Sequence, residues 1–425
     1  MNLIYFLLLL FIAAWPLGNL GRFSLAFLGL ENVNVYLNDF LLPLLIFVFL
    51  TQVFVVKKKF FLPPLSGMLL LFIGAAFLSL LNAQRWLEGK EFLISLLYLV
   101  RWVEYAFLYP ITFYLARFFF SRNKGRQELL FHFLLGAIFI FALLGIMQFV
   151  FFPDFSRYVA HGWDPHYYRL LSTFFDPNFA GIFLLLGFNL VLARLLQEGA
   201  NFSRSQKLIY PLLAFVFFLA IVLTFSRSSY LAFLTAIFFL GLFKSRQLLF
   251  FFLFLALLAY LTIPKVRLRV EGAVHLDVTA RARIADWRKT AVIIRDHPFL
   301  GVGFNAFRYA QIRYGYFRNQ RGLEIPSGHA GAGADSSFLF VAATTGLGGF
   351  LLYFLFWWRC WWQSFRNYWR QRTLPSTATN SALQLALIIS IPALMIQSQF
   401  VNSLFFPWIM AWNWILIALA HADSV

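Results

Sequence analysis

Twelve apolar segments, of which all but the short eighth are long enough to cross a lipid bilayer, constrain the fold of this chain more than any other feature. A membrane-spanning helix needs about 20 mostly apolar residues, and roughly 17–25 are tolerated. The segments cover residues 2–18, 39–56, 64–82, 95–116, 130–151, 178–195, 209–225, 229–243, 247–263, 336–357, 381–399 and 402–420. Only 12% of the 425 residues are charged, about half the share of an ordinary soluble domain. The sequence therefore predicts an all-α polytopic membrane protein with about 12 transmembrane helices, forming a single membrane domain over residues 1–425.

The distribution of basic residues predicts the topology. Sixteen Lys and Arg residues lie in the even-numbered loops, and six lie in the short odd-numbered loops. Because short cytoplasmic loops are enriched in these residues, both termini are predicted to be cytoplasmic. This topology also accounts for the net charge of +18, so we expect a bilayer and no nucleic acid as partner. The single Cys360 and the seven histidines show no metal-ligand spacing, and we expect no metal and no cofactor.

Residues 264–335 form a polar, basic segment between the ninth and tenth predicted spans, which the topology makes a large extracytoplasmic loop. Within it, residues 278–296 are predicted to be helical, because Asp277 can cap the start and Pro298 disfavours helix at the preceding residue. Three arginines recur every seven residues and share one helix face: Arg281, Arg288 and Arg295. Guanidinium groups pair bidentately with phosphate oxygens. Two interpretations stay open: a cradle for a diphosphate, or attraction to anionic lipid headgroups.

Several other polar positions near the ends of the apolar segments are candidates for chemistry. The segment 297–303 contains two glycines, and a turn between two helices is favoured over a ligand site. A carboxylate at Asp335 or an imidazole at His329 could accept a proton from a sugar hydroxyl, although Asp335 could instead cap the tenth span. Arg169 and Arg227 could either bind a ligand or extend to lipid headgroups. The serines that flank Arg227 in its tight turn favour a ligand.

Arg101 and Glu104 lie within the fourth predicted span, three residues apart. Ionisable residues at such a depth are candidates for function. Their spacing places them on one helix face, and we expect them to form a structural ion pair with each other.

Four motifs, taken in order, resemble those of the O-antigen ligase and polymerase superfamily. The first is the run from Arg169 to Asn178, which ends in Pro-Asn before a membrane helix. The remaining three are Thr224-Phe-Ser-Arg-Ser-Ser229, His297-Pro-Phe-Leu-Gly-Val-Gly303, and Asp335-Ser-Ser-Phe-Leu339 followed by Thr345-Gly-Leu-Gly-Gly349. The likeness covers roughly residues 165–355, and the twelve-segment layout extends it to the whole chain.

The resemblance implies a metal-independent membrane glycosyltransferase of surface polysaccharide synthesis in the cytoplasmic (inner) membrane. Its donor would be a glycan on a polyprenyl diphosphate such as undecaprenyl diphosphate, and its acceptor a glycan or glycolipid. By resemblance, Arg169 and Arg227 are the best diphosphate contacts, with Arg288 or Arg295 as a third. Asp335 or His329 would be the catalytic base.

One departure bears on the reaction. Ligases of this family usually carry His-Asn where this chain has Asp335-Ser336, and polymerase-like members more often carry Asp. A polymerase of repeat units is therefore favoured, with a ligase that joins a finished glycan to lipid A core or protein as the alternative. A polysaccharide transporter or lipid flippase is the alternative from another class, for which polar residues near the bilayer midplane are typical.

Overall fold

The computed structural model describes residues 2–56, 60–161, 163–317, 333–373 and 378–422. Helices account for 80% of the structure, which confirms the all-α class. The α-helices of these residues are α1 (Asn2–Ala13), α2 (Leu37–Leu50), α3 (Ser66–Ala83), α4 (Gly89–Ala106), α5 (Leu108–Leu115), α6 (Lys124–Phe151), α7 (Pro177–Glu198), α8 (Arg204–Leu223), α9 (Arg227–Phe243), α10 (Arg246–Thr262), α11 (Pro264–Val274), α12 (Val278–Asp296), α13 (Phe307–Arg313), α14 (Ser337–Thr373), α15 (Ala378–Gln397) and α16 (Pro407–His421).

Fewer helices are long enough to cross a membrane than the sequence predicts, although every predicted segment coincides with a helix. In the described residues, eight helices are long and apolar enough to cross a membrane, or ten spans exist if each of two bent pairs counts as one. The pairs bend by 62° after α1 and by 97° after α10. Helices α9 and α16 have 17 and 15 residues. The count of twelve is therefore not confirmed.

Helix α7 lies at the centre of the bundle. Its sequence is apolar around the whole circumference, and nearly every residue from Pro177 to Arg194 is buried. A helix that is hydrophobic on all sides is stable only when other helices surround it, and α8, α9 and α15 pack against α7. Its first turn is consequently held in a fixed place, and this turn borders the site described below.

The predicted helix after Asp277 is present as α12, and the Asp277 carboxylate accepts a hydrogen bond from the Ala280 N–H at 2.9 Å. The turn that follows α12 is also confirmed, and it packs on α14. The Val302 and Gly303 N–H groups donate to the carbonyls of Ala343 and Thr344 at 2.8 and 3.0 Å. A Cβ at Gly301 would lie 2.5 Å from the Thr344 backbone, so only glycine allows this close approach.

One element was not predicted: a β-hairpin of β1 (Arg22–Leu25) and β2 (Leu30–Tyr36), which connects the first two apolar segments. Arg22 and Tyr36 are cross-strand partners where the hairpin meets the helices. The hairpin positions both side chains on the same cavity as the first turn of α7.

Candidate functional site

A cavity of about 1240 Å³ opens among the segments that connect the helices. Its wall is rich in charge, because seven arginines and three aspartates of the described residues line it. They are Arg22, Arg101, Arg169, Arg227, Arg269, Arg283 and Arg308, with Asp164, Asp176 and Asp335. Three residues proposed from the sequence, Arg169, Arg227 and Asp335, therefore share one cavity. The excess of guanidinium groups suits this cavity to an anionic ligand.

Two distant motifs are joined at the wall beside α7. Asp176 caps α7 by accepting hydrogen bonds from the Asn178 and Phe179 N–H groups at 2.6 and 3.0 Å. The Ser226 hydroxyl, which precedes α9, donates to the Asn178 side-chain oxygen at 2.7 Å. Phe225 has a φ of +47°, a left-handed conformation that is rare for such a residue. The backbone around Phe225 is thus held in an unusual shape by the start of α7.

Arg169 and Arg269 converge on this backbone. The Arg169 guanidinium donates to the carbonyls of Thr224 and Phe225 at 3.0 and 3.2 Å. Arg269, from α11, donates to the same Phe225 carbonyl at 3.1 Å. Among the described residues, neither guanidinium forms an ion pair with a carboxylate. Two positive charges therefore meet at one neutral acceptor.

The pKa values of this group reflect its crowding. Burial lowers the pKa of Arg169 to about 9, and the positive charge of Arg269 adds to the effect, while Asp176 opposes it. Burial and then Arg227 also lower the pKa of Arg269. Lys265 donates to the Tyr167 carbonyl at 2.7 Å, and its pKa falls to about 8 through burial and the two arginines. A bound anion would offset both the burial of these cations and their mutual repulsion.

Arg227 has a different environment. It begins α9, and its guanidinium forms a bidentate pair with Asp277 at 3.1 and 3.2 Å. Asp277 also caps α12, so Arg227 ties α9 to the start of the helix that carries Arg283. Arg227 therefore has a structural role as well as a place on the cavity wall.

Asp335 also lines the cavity and is held by α12. Its N–H donates to the Asp286 carboxylate at 2.8 Å, and its carbonyl accepts a hydrogen bond from the Trp287 indole at 3.1 Å. Its carboxylate lies 3.8 Å from the Arg283 Nε. The side chain is 52% exposed and lines the cavity. This partial burial raises the pKa of Asp335 to about 6; Arg283 opposes the shift, and Asp286 and Asp176 add to it.

The remaining predicted site residues do not join this group. Arg288 and Arg295 are exposed, and Arg295 lies 3.2 Å from Asp296. Because an α-helix turns by about 100° per residue, Arg288 points roughly 140° away from Arg283. His329 lies outside the described residues. Arg269 and Arg283 were missed, since neither falls in a motif and only the packing of α11 and α12 brings them to the cavity.

A small group on the same wall has the composition of a cation site. One ligand atom each of Asp164, His166 and Asp176 lies within 4.8 Å of the others. However, Arg169 acts electrostatically on both His166 and Asp176. Burial, and then this guanidinium, lower the pKa of His166 to about 4. The adjacent positive charge opposes a cation here, and the group fits a metal poorly.

A comparison with known protein families finds a match for part of the chain. Residues 212–354 match the family described as O-antigen ligase, which confirms the resemblance seen in the motifs. The match covers roughly a third of the 425 residues and includes Arg227, Arg269, Arg283 and Asp335, while Arg169 lies before it. No curated protein matches the sequence.

Proposed function

We propose, from the match of residues 212–354 to the family described as O-antigen ligase, that the protein is a multi-pass membrane glycosyltransferase of surface polysaccharide synthesis. The donor is a glycan on a polyprenyl diphosphate, and the acceptor is a hydroxyl of another glycan. The cavity faces the outer side of the cytoplasmic membrane, and both termini are cytoplasmic.

The observation that carries the proposal is the pairing of two kinds of group in one cavity. Arg169 and Arg269 crowd positive charge against a single carbonyl, and Asp335 is a carboxylate whose pKa is raised to about 6. Guanidinium groups stabilise the charge that develops on a departing diphosphate. A carboxylate with a pKa near the working pH is suited to accept a proton.

The proposed step forms one carbon–oxygen bond, breaks another and transfers one proton. The acceptor hydroxyl oxygen attacks the anomeric carbon of the donor while the bond from that carbon to the diphosphate oxygen breaks. The hydroxyl proton moves to Asp335, and the polyprenyl diphosphate leaves with the additional negative charge beside Arg169, Arg269 and Arg227. Attack from the face opposite the leaving group inverts the anomeric configuration. Positioning and electrostatics supply the rate.

Metal independence is part of the proposal. In metal-dependent enzymes a divalent cation neutralises the diphosphate, and here arginines take that role. The electrostatic effect of Arg169 on His166 and Asp176 supports this assignment, because a positive charge disfavours a cation beside the donor. We expect an excess of chelator to leave the transfer rate unchanged.

Within the family we propose a polymerase, because Asp335-Ser336 replaces the His-Asn of ligases. The ligase remains the second candidate, since the matching family is described as O-antigen ligase. Transport of a polysaccharide or lipid is not favoured, because most charged residues of the cavity lie outside the helices that are long and apolar enough to cross a membrane.

The test is a transfer reaction in detergent with a synthetic polyprenyl-diphosphate oligosaccharide and chelator, with products resolved by length. A ladder of lengths is expected for a polymerase. A single transfer that needs an added lipid or protein acceptor would indicate the ligase. An intact donor, with all acceptors tried, would contradict the proposal.

The matched variants are Arg269→Gln and Arg267→Gln on α11. Arg269 donates to the Phe225 carbonyl in the cavity wall, whereas the Arg267 side chain is 62% exposed and pairs with Glu271 on its own helix. Loss of transfer in Arg269→Gln with retention in Arg267→Gln is expected.

A further inference from the structure

A second, smaller pocket lies between the start of α3 and the C-terminal half of α14. It encloses about 210 Å³, and its wall includes Leu65, Arg359, Trp362, Arg366 and Asn367. We propose that this pocket, here called the α14 pocket, binds the phosphate of an anionic phospholipid headgroup. The inference goes beyond the proposed glycosyltransferase function and does not depend on it.

The packing of α3 against α14 determines where the α14 pocket lies. The two helices run antiparallel, because contacts that descend along α3 ascend along α14. The Ser79 Oγ lies 2.5 Å from the Thr344 carbonyl oxygen, and the Phe72 and Tyr353 ring centroids follow at 4.7 Å. The pocket beside Leu65 continues this order, and it therefore lies at the start of α3.

The cavity lies at the other end of α3. The Gly303 N–H donates to the Thr344 carbonyl at 3.0 Å, and the next two residues, Phe304 and Asn305, line the cavity. Helix α3 has 18 residues and is apolar enough to cross a membrane. At a rise of about 1.5 Å per residue it is about 27 Å long, close to the roughly 30 Å of a hydrocarbon core. The α14 pocket thus lies at one membrane surface and the cavity at the other.

The charge of the α14 pocket is not balanced within the protein. Arg359 and Arg366 are both exposed, and among the described residues neither forms a hydrogen bond or an ion pair. Their separation by seven residues places them on the same face of α14. No carboxylate lines this pocket in the part of the chain that the structure describes. The pocket therefore favours an anion.

The side-chain amide of Asn367 points to a ligand that accepts hydrogen bonds. Its Nδ2 is buried and has no hydrogen-bond partner within the described ranges. A buried donor is costly to leave unpaired, and most such groups in proteins have a partner. A phosphate in the pocket could accept this hydrogen bond through one oxygen and bidentate hydrogen bonds from a neighbouring guanidinium through its other oxygens.

The surroundings of the α14 pocket favour a lipid. Trp358, Trp362 and Trp369 are 46%, 40% and 41% exposed, and tryptophan is enriched where a membrane meets water. Phe61 and Leu62, in the segment before α3, are also exposed and offer apolar surface to an acyl chain. Sites that enclose a small molecule typically have about 300–1,000 Å³. The smaller volume of this pocket suits a headgroup better than an oligosaccharide.

The test measures lipid binding to the full-length protein in detergent by native mass spectrometry, which resolves each bound lipid. The probes are phosphatidylglycerol and phosphatidylcholine with the same acyl chains, with inorganic phosphate as a competitor. We expect phosphatidylglycerol to bind at least about tenfold more tightly than phosphatidylcholine, because each basic residue near an anionic lipid contributes several-fold in affinity. Inorganic phosphate should not displace it.

The double variant Arg359→Gln/Arg366→Gln is expected to lose this preference. Its matched control is Arg122→Gln/Arg204→Gln, which removes two exposed arginines outside the pocket that the predicted topology places on the same side of the membrane. The control should keep the preference. Asn367→Leu removes the buried donor and should weaken the binding of both lipids, because both carry a phosphate. Without lipid, the double variant should unfold at the wild-type temperature, since its two arginines have no partner to lose.

Three results would overturn the site: equal affinities for the two lipids in the wild type, a preference that survives in Arg359→Gln/Arg366→Gln, or an equal loss in the control. Displacement of phosphatidylglycerol by millimolar inorganic phosphate would overturn the lipid assignment and assign the pocket to a free phosphate. None of these measurements involves glycan transfer, so their outcome is separate from that of the proposed function.

Discussion

Two arginine clusters, one buried and one half-buried, lie near the two ends of α7 and differ in how their charge is balanced. Arg194 is 2% exposed and lies 2.7 Å from both Glu128 and Glu198. Near the first turn of α7, Arg169 and Arg269 instead donate to backbone carbonyls. With a rise of about 1.5 Å per residue, roughly 27 Å of helix separates Asp176 from Arg194.

We propose from this difference that one cluster is structural and that the other binds a ligand. A buried charge is stable when carboxylates neutralise it, so the Arg194 cluster needs nothing further. The Arg169 cluster retains net positive charge in a cavity, and an anionic ligand would complete it. We therefore propose that the two clusters have different roles, and that the partners of the arginines distinguish them.

The largest effect is expected at the proposed base. Asp335→Asn keeps the size of the side chain and removes its ability to accept the proton, so we expect transfer to fall by roughly 10²–10⁴-fold. The rate is measured with a labelled donor at saturating concentration. Asp335→Glu is the control that retains a carboxylate, and transfer by Asp335→Asn within about twofold of wild type would exclude this role.

Arg269→Gln is expected to reduce transfer by about 10²–10³-fold, the usual loss when one donor to a developing charge is removed. The variant should unfold no more easily than the wild type, because it relieves repulsion with Arg169 and Arg227. Thermal unfolding in detergent provides this second measurement. Lower stability together with full activity would assign Arg269 to structure.

The opposite pattern is expected for Arg194→Ala. Removal of the guanidinium leaves Glu128 and Glu198 without their partner, and we expect a loss of about 3–5 kcal/mol in the free energy of unfolding. Activity per folded molecule should remain. A thermal shift compared with the activity of the surviving fraction checks both statements, and an unchanged melting temperature would remove the contrast between the clusters.

The pH profile tests the state of Asp335. As a base it must be ionised, and its pKa is about 6, so transfer should rise with pH through that value and level off above it. Below it, the rate should fall by about tenfold per pH unit, as for any single required deprotonation. The fall near pH 6 should disappear in Asp335→Asn. A rate that is flat between pH 5 and 7 in the wild type would contradict this assignment.

The smallest effect is expected for Arg288→Gln. The seven-residue spacing of arginines in α12 predicts Arg288 as a diphosphate contact, but its side chain is exposed and does not line the cavity. We expect transfer within about twofold of wild type, the range for surface substitutions. A large loss would instead support the diphosphate cradle that the sequence suggested for this helix face.

Local signals predicted the local structure well. Asp277 and Pro298 correctly predicted where α12 begins and ends. The turn predicted from the two glycines that follow is also confirmed. These features depend on residues within a few positions of each other. The prediction that Arg101 pairs with Glu104 was wrong, because Asp39 from the start of α2 lies 2.7 Å from Arg101 and forms its ion pair.

The composition of the cavity depended on tertiary contacts that sequence patterns do not contain. Arg169 meets Arg269 only because both donate to the carbonyl of Phe225, a residue in a left-handed turn between α8 and α9. Similarly, Arg22 and Arg308 reach the cavity through an unpredicted hairpin and a seven-residue helix. The sequence motifs identified the site residues that lie next to the ends of membrane helices, because residues that are adjacent in sequence also share the site there.

The most direct test of the account is the affinity for a soluble polyprenyl-diphosphate analogue, measured against the corresponding monophosphate in the absence of metal. The account predicts that the wild type and Arg267→Gln bind the diphosphate at least about tenfold more tightly, and that Arg269→Gln loses this preference. Equal affinities for the two analogues in the wild type, or a preference that survives in Arg269→Gln, would contradict the claim that the Arg169 and Arg269 cluster binds the donor.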